Sequence, residues 1–227
     1  GGFTGEETFR DQRDPDANEV VLSGDIGVEE DTKDNAYHVL TLDGTESPIT
    51  DATVVDGFTI ADGNANGEFP DERGGGLLCD GSGSDSECSP ILRNLTLRDN
   101  SASVSGGAII NSGFDGGVAS PTVVNATFTN NDAEFGGAVY NDGSAGTSSP
   151  TIRETTFRNN IASGSGGAVY TNAATGGSSA ALFEAVTFVG NEAGSAAGAL
   201  YLDGSGAAAS TERVETKGQT KGGTQYV

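Results

Sequence analysis

The amino-acid sequence predicts an all-β fold, a right-handed parallel β-helix in which three sheets form a solenoid with about 30 residues in each coil. Three observations support this prediction. The chain contains about five imperfect copies of one sequence unit, each copy contains three short strand-like runs, and glycine, at 36 of 227 residues, is too abundant for stable helices. Repeats of this length are typical of solenoids, in which each unit buries its apolar face against its neighbours.

The repeated units align on a Ser-Pro pair. Three of them read SPILRNLTLRDNSASVSGGAIINS, SPTVVNATFTNNDAEFGGAVYND and SPTIRETTFRNNIASGSGGAVYTN, and a fourth, SAALFEAVTFVGNEAGSAAGALYLD, has Ala181 in place of the proline. Seven residues after each anchor comes an apolar residue, and these residues lie 31, 29 and 31 positions apart: Leu97, Phe128, Phe157 and Phe188. An earlier copy, ATVVDGFTIADGNANG followed by RGGGLLCD, is more divergent and has Ile60 at this position.

The content of each unit favours strands over helices. In the second regular copy, apolar and polar residues alternate within the runs TVVN, ATFTN and GAVYN, and Gly, Asn, Asp and Ser-Pro bound these runs. This is the pattern of half-buried strands between turns. Three strands in about 30 residues match one turn of a three-sided β-helix, whereas propeller blades need four strands and about 40 residues.

Stacking of the coils predicts two internal ladders and one column of turn residues. Neighbouring coils of such a sheet lie ~4.8 Å apart, so equivalent residues stack. The first ladder is Leu97, Phe128, Phe157 and Phe188, and the second is Ile109, Val139, Val169 and Leu200. Asparagine follows each residue of the first ladder by three positions, where the coil bends and amides can bond along the stack: Asn100, Asn131, Asn160 and Asn191. The small-residue pair of the GGA step permits positive φ and sharp corners.

The repeats also predict the domain organisation. We expect one β-helix domain over residues 1–210, with irregular coils over 1–89 and regular repeats over 90–203. Residues 211–227 lack the repeat motifs and are interpreted as a degenerate coil, a tail or an exchanged strand. Because the chain has neither an initiator methionine nor a signal-peptide core, we expect it to be a portion of a longer precursor.

The chain is strongly acidic, with 33 acidic against 11 basic residues and a formal net charge of −22. Such a chain repels nucleic acid and anionic lipid, and no run approaches the ~20 apolar residues of a membrane span. Two explanations of the acidity stay open, adaptation to high salt and calcium binding through aspartate oxygens. The candidate calcium ligands are Asp11, Asp14 and Asp16, although their stretch lacks the glycine and terminal glutamate of an EF-hand. No other cofactor is expected.

The two cysteines, Cys79 and Cys88, flank a loop of eight glycine, serine and acidic residues. Because both lie beside one flexible loop, a disulfide is favoured over a metal site, and it indicates an oxidising compartment. Two unpaired thiols are the alternative.

The paired motifs F-x-x-N and GGA[I/V] carry a family resemblance. Present here as FTNN with GGAVY and as FRNN with GGAVY, they resemble those of the pectin-lyase-like right-handed β-helix superfamily, in particular large secreted bacterial and archaeal proteins with polymorphic-outer-membrane-protein-type repeats. The opening segment, including VVDGFTIADGNANG, is similar to the start of the same proteins, so the resemblance covers roughly residues 1–203. It implies a β-helix in an extracellular or cell-surface location. It implies no single activity, because such relatives include adhesins and autotransporter passengers as well as carbohydrate enzymes.

No catalytic residues stand out in the regular coils. A polyuronate lyase needs a Lys or Arg base, but these coils contain no lysine. A glycosidase needs two facing carboxylates, whereas Asp and Glu lie mostly in turns, and the single histidine, His38, is interpreted as a packed or surface residue. The arginines recur at equivalent positions, as in an exposed structural ladder: Arg93 with Arg153, and Arg98 with Arg158.

Two further sets of residues are candidates for outside contacts. The tyrosines that follow the GGA step, Tyr140, Tyr170 and Tyr201, form either a strip that faces a glycan or one more ladder. The sequons at Asn94 and Asn125 occupy equivalent positions and are candidate glycosylation sites in a secreted chain.

Three hypotheses of function follow from these patterns. The leading one is a non-catalytic extracellular or cell-surface module that acts as a stalk, adhesin or assembly subunit. The second is a carbohydrate-active or glycan-binding β-helix of the polysaccharide lyase type, and the third is a filament or sheath subunit that assembles by end-to-end stacking of coils. The expected partners are therefore other copies of the chain or surface glycans.

Overall fold

The strands of the protein stack into three parallel sheets. The computed structural model describes residues 1–15, 17–29, 31–204, 206–212 and 215–217. Within these residues the first sheet contains β1 (Val21–Ser23), β3 (Val54–Asp56), β4 (Thr59–Ala61), β7 (Ile91–Arg98), β10 (Thr122–Thr129), β13 (Thr151–Arg153), β14 (Thr156–Arg158), β17 (Ser179–Glu184), β18 (Thr187–Val189), β21 (Ala207–Glu212) and β22 (Glu215–Lys217).

The other two sheets contain one strand from each successive coil. The second sheet contains β5 (Asn64–Ala65), β8 (Ser101–Ala102), β11 (Asp132–Ala133), β15 (Ile161–Ala162) and β19 (Glu192–Ala193). The third contains β2 (Leu40–Asp43), β6 (Leu77–Asp80), β9 (Ile109–Ser112), β12 (Val139–Asp142), β16 (Val169–Asn172) and β20 (Leu200–Asp203). The helical segments of the described chain are short 3-10 turns at Arg10–Gln12 and Ala174–Gly176. This architecture confirms the predicted all-β solenoid.

Strand pairing joins each coil to the next in the register that the repeats predict. Phe128 of β10 pairs with Leu97 of β7 on one side and with Phe157 of β14 on the other. After the last regular coil, β21 pairs with β17 and β22 pairs with β18, both parallel. The described part of the segment 211–227 therefore continues the first sheet, and the rest of that segment lies outside the described residues.

The two apolar ladders fill the interior between the first and third sheets. Phe128 and Phe157 stack with ring centroids 4.7 Å apart, and Phe157 and Phe188 stack at 5.0 Å. All the ladder residues are buried, and the third-sheet pairings align the second ladder: Ile109, Val139, Val169 and Leu200. Burial of one such side chain contributes ~1.5–3 kcal/mol, so the coils depend on one another for most of their stability.

The column of asparagines lies in the corner between the first and second sheets. The Asn131 Nδ2 donates to Asn160 Oδ1 at 2.9 Å and to the Leu97 carbonyl at 3.0 Å, and the Asn131 backbone N–H donates to the same Asn160 oxygen. The same contacts repeat along the column, all of whose members are fully buried: Asn100, Asn131, Asn160 and Asn191. Each amide thus satisfies polar backbone groups that the corner leaves inside the core, where an unpaired group would be costly.

The GGA step forms the corner before the third sheet. Gly136 has φ +62°, the left-handed region that L side chains rarely adopt. A Cβ on Gly137 would lie 2.3 Å from the Gly167 carbonyl oxygen and 2.4 Å from that of Ile161. The first glycine is therefore required by its backbone conformation and the second by the close approach of two neighbouring coils.

The strands of the first sheet carry a bulge that the repeats did not reveal. Three residues before each member of the first ladder, one residue has a positive φ, and the strand pairing skips it. These residues differ in type from coil to coil: Gly57, Asn94, Asn125, Glu154 and Ala185. The skipped residues lie opposite one another in successive coils, so what we call the bulge is a kink shared by the paired strands and not an extra residue in one of them.

We predict that Asn131→Ala lowers the free energy of unfolding by about 3 kcal/mol, because it leaves several buried groups of neighbouring coils without partners. Urea unfolding followed by circular dichroism measures the change. Asn159→Gly is the matched control, because Asn159 is exposed and has φ +53°, which glycine adopts freely. Equal unfolding midpoints for the two variants would contradict the stabilising role of the column.

Candidate functional site

The regular outer surface is interrupted beside the third sheet. The connection between β5 and β6 spans residues 66–76, whereas the equivalent connection between β11 and β12 spans 134–138. The longer connection carries Phe69 and Arg73 over the outer face of the sheet. The resulting pocket has a volume of about 130 Å³ and is lined by Phe69, Pro70, Arg73, Leu78, Asp80, Ser82, Ile110, Ser112 and Phe114.

Aromatic rings form one wall of this pocket. Phe69 is 62% exposed, and its ring meets that of Phe114 edge to face at a centroid distance of 6.5 Å. The guanidinium carbon of Arg73 lies 5.1 Å from the centroid of Phe69, within the range of a cation–π contact. An exposed aromatic ring next to a fixed cation is the kind of surface on which a small polar ring can stack.

Carboxylates fix the position of the Arg73 guanidinium. Its Nε lies 3.2 Å from Glu72 Oε1, and its Nη1 lies 3.6 Å from Asp142 Oδ2. Among the described residues no hydrogen-bond partner reaches Glu72 Oε2, although that atom is buried. On the floor of the pocket, Asp80 accepts a hydrogen bond of 2.6 Å from the Ser82 hydroxyl. The arrangement offers hydrogen-bond donors and acceptors to a ligand.

The three tyrosines of the GGA step extend the same outer face. The rings of Tyr140 and Tyr170 stack with centroids 5.0 Å apart, and the ring of Tyr201 lies 4.9 Å from that of Tyr170 at a tilt of 32°. The ring of Phe135 covers Tyr170 edge to face at 5.4 Å, so Tyr170 is only 7% exposed. The faces of the rings are therefore directed at neighbouring rings, and a glycan in contact with this column meets ring edges and hydroxyl groups. The glycan-facing role stays a prediction.

The environment of the tyrosine column opposes ionisation. Burial raises the pKa of Tyr140 well above its ordinary value, and the negative charge of Asp142 raises it further. Burial also raises the pKa of Tyr170, whose hydroxyl donates a 2.6 Å hydrogen bond to Asp203 Oδ2. That hydrogen bond favours the protonated phenol, since the tyrosinate could not donate it.

Cys79 and Cys88 form a disulfide bond in the structure. Both residues are fully buried and belong to the core cluster of the first coils. Cys79 occupies the third position of β6, which pairs with Leu42 in the preceding coil and with Asn111 in the next. The bridge therefore anchors the long loop 80–87 to the solenoid interior.

The candidate calcium ligands lie near the amino terminus. Asp11 is part of the first 3-10 turn, Asp14 accepts a hydrogen bond from the Ala17 backbone N–H at 3.0 Å, and Asp16 lies outside the described residues. Among the residues that the structure describes, no three His, Cys, Asp or Glu side chains come close enough to hold a metal ion. Calcium binding by this stretch stays a prediction.

The sequons line a second, more polar pocket on the outer face of the first sheet. It has a volume of about 400 Å³ and is lined by Asp11, Arg13, Pro15, Asn94, Leu95, Thr96, Asn125 and Thr127. Arg13 pairs with Asp56, which is 7% exposed and also binds Arg93 Nε at 2.8 Å. The segment before β1 is thereby attached to the sheet and forms one wall of the pocket.

His38 and three of the four arginines singled out from the sequence have structural partners. His38 Nδ1 lies 3.0 Å from the Gly74 carbonyl oxygen, and its Nε2 lies 3.4 Å from Asp71 Oδ1, so the ring supports the long connection. The arginine pairs form no continuous ladder, because Val124 and Thr129 of the intervening coil separate their members. Three of these arginines instead pair with acids: Arg93 with Asp56, Arg98 with Asp99, and Arg153 with Glu184.

Sequence reasoning missed the residues that form the pocket of the third sheet. Phe69, Arg73 and Phe114 lie outside the repeat motifs, and Phe69 and Phe114 come from connections in different coils. The available signal was the insertion between Ile60 and Gly74, which lengthens one coil next to otherwise regular ones. The length of this insertion therefore indicates the pocket of the third sheet better than any residue type does.

The fold and the repeats define a parallel β-helix repeat protein. Residues 154–172, which include FRNN and GGAVY, match the Chlamydia polymorphic membrane protein (Chlamydia_PMP) repeat. No curated protein and no solved structure matches the chain. In the described part of the chain, no helix has the length and apolar character needed to cross a membrane.

We predict that Tyr140 and Tyr170 stay protonated well above pH 10 in the folded protein. Their raised pKa stabilises the fold below the unfolded-state pKa of about 10, and this stability is lost as the pH rises above it. The difference in tyrosinate absorbance between the wild type and Tyr170→Phe, recorded across pH, reports one residue. It should appear only with unfolding, and in denaturant it should appear near pH 10. A difference signal near pH 10 in the folded protein would disprove the prediction.

Proposed function

We propose that this chain is a structural module of a cell-surface protein, a rigid and non-catalytic β-helix that acts as a stalk, an adhesin or an assembly subunit. The observation that carries the proposal is the repetition of the same inward columns from coil to coil, in a chain whose residues 154–172 match a polymorphic membrane protein repeat. A solenoid of this kind separates two points in space and presents a long side surface, which is the task of a stalk.

Rigidity along the solenoid axis supports a stalk. Side-chain hydrogen bonds join successive coils through Asn100, Asn131, Asn160 and Asn191. Stacked rings join the same coils within the apolar interior. Bending the solenoid would separate the coils on its convex side and break both kinds of contact. The solenoid therefore resists bending.

The disulfide supports a location outside the cytoplasm. Cys79 and Cys88 are bonded in a buried position, and structural disulfides form and persist in oxidising compartments. The net charge of −22 fits a surface exposed to high salt or to calcium, and both explanations stay open.

Glycan binding is the second candidate function, and the pocket of the third sheet favours it. The exposed ring of Phe69, the Arg73 guanidinium and the Asp80 carboxylate offer stacking and hydrogen bonds at one place. End-to-end self-assembly stays a hypothesis without a specific contact to support it.

We expect antibodies against this chain to label intact cells of its source organism. Brief protease treatment of intact cells should remove most of the label, because the proposed location is outside the cell envelope. Permeabilised cells, stained for a cytoplasmic protein in parallel, control for leakage. Labelling that requires permeabilisation would overturn the proposed location.

If the second candidate function holds, the protein should bind some member of a panel of immobilised neutral and acidic polysaccharides. Phe69→Ala should then weaken retention at least tenfold, because the variant lacks the stacking surface. Phe9→Ala is the matched control, since Phe9 is 70% exposed and lies away from the pocket. Equal retention of both variants would place glycan binding outside this pocket. No retention of the wild type would contradict glycan binding and leave the structural module as the remaining function.

A further inference from the structure

The two sequons differ in their surroundings although they occupy equivalent positions. Asn94-Leu95-Thr96 and Asn125-Ala126-Thr127 match the acceptor motif for N-linked glycosylation. Both asparagines are bulge residues, with φ +53° and +52°, and strand pairing skips them. Both side chains lie on the outer face of the first sheet, where they line the polar pocket.

The amide nitrogen of Asn94 is enclosed by neighbouring groups. Its Nδ2 donates a 2.8 Å hydrogen bond to Asp56 Oδ1, and Asp56 is 7% exposed. The same carboxylate binds Arg13 and Arg93. A sugar on this nitrogen would have to fit beside that ion-pair cluster, in which the side chains of Arg13 and Asp56 are only 13% and 7% exposed.

The amide nitrogen of Asn125 is open. The side chain is exposed, and its Nδ2 donates to Asn94 Oδ1 at 2.8 Å. Among the described residues no other hydrogen bond to this side chain is present. On the far side, the neighbour in the next coil is Glu154, which is also exposed. Both asparagines line the polar pocket of about 400 Å³, which has room for one sugar ring, but only Asn125 is exposed, whereas Asn94 is half-buried.

The bulge itself does not explain the asparagine at position 125. Glycine, glutamate and alanine occupy the equivalent position in other coils with similar positive φ: Gly57, Glu154 and Ala185. The fold therefore accepts other residues here. A threonine stands two positions later in all of these coils and belongs to the repeat, so the asparagine is what distinguishes the sequons: Thr59, Thr96, Thr127, Thr156 and Thr187.

We propose that Asn125, and not Asn94, is a site of N-linked glycosylation in this protein. In the reaction, the Asn125 Nδ2 forms a bond to C1 of a sugar while the bond between that C1 and the phosphate oxygen of a lipid-linked oligosaccharide donor breaks. The displaced phosphate takes the negative charge, and the amide gives up one proton. The remaining N–H still donates to Asn94 Oδ1. The proposal rests on the proposed surface location, because glycosylation of this kind accompanies export.

The test is peptide mapping by mass spectrometry of the protein purified from its source organism. The peptide with Asn125 should carry an added oligosaccharide mass, and the peptide with Asn94 should be unmodified. Thr127→Ala should remove the added mass completely while Asn125 stays in the bulge. The matched control Thr96→Ala should leave the mass unchanged.

An oligosaccharide on Asn94, or an unmodified Asn125 in protein recovered from the cell surface, would overturn the proposal. Labelling of intact cells, measured on the same culture, separates the two failures. An unmodified chain at the surface refutes glycosylation alone, whereas a chain absent from the surface refutes the proposed function. Secretion and circular dichroism of Thr127→Ala verify that any loss of mass does not come from misfolding.

Discussion

The hydrogen bond between the side-chain amides of successive asparagines is the interaction on which the solenoid depends. At the corner between the first and second sheets the backbone changes direction inside the core, where no water can satisfy its polar groups. Asn160 Oδ1 accepts both the backbone N–H and the Nδ2 of Asn131, so each amide binds one particular residue of the neighbouring coil. A shift of one residue would break these bonds and would also turn Phe128 and Phe157 out of the core.

Because the interior repeats, the features specific to this protein lie where the repeat changes. The longer connection that carries Phe69 and Arg73 forms a pocket that the regular coils lack. On the first sheet, Asp56 binds Arg13 and Arg93, and this contact attaches the amino-terminal segment to the coils. The same carboxylate encloses Asn94 and leaves Asn125 open. Small departures in single coils thus determine which parts of a regular surface can meet a partner.

Sequence periodicity predicts the register of the tyrosine column but not the contacts that cover it. The spacing places Tyr140, Tyr170 and Tyr201 in one column, and the strand pairing has them in register. Periodicity does not reveal that Phe135, from the connection before β12, covers the ring of Tyr170.

The sequence also did not predict a second column of buried polar residues. Asn111 and Asn141 lie inside the third sheet, and the Asn111 Nδ2 donates to Asn141 Oδ1 at 2.8 Å. Strand alternation places them on the inward face with Ile109 and Val139, but an asparagine in a strand does not by itself indicate burial.

The sequence by itself determined the coil length, the three-sheet architecture, the apolar ladders and the corners. Each of these depends on a residue type that recurs at constant spacing, and a solenoid converts constant spacing into direct contact. Only the tertiary structure decided the pairing of Arg93 with Asp56, the pocket between Phe69 and Phe114, and the difference between Asn94 and Asn125. These contacts join residues from non-equivalent positions, so their geometry depends on the bulges and on connections of unequal length. Such features leave no periodic signal, because each occurs in one coil and its partner is set by the path of the chain in space.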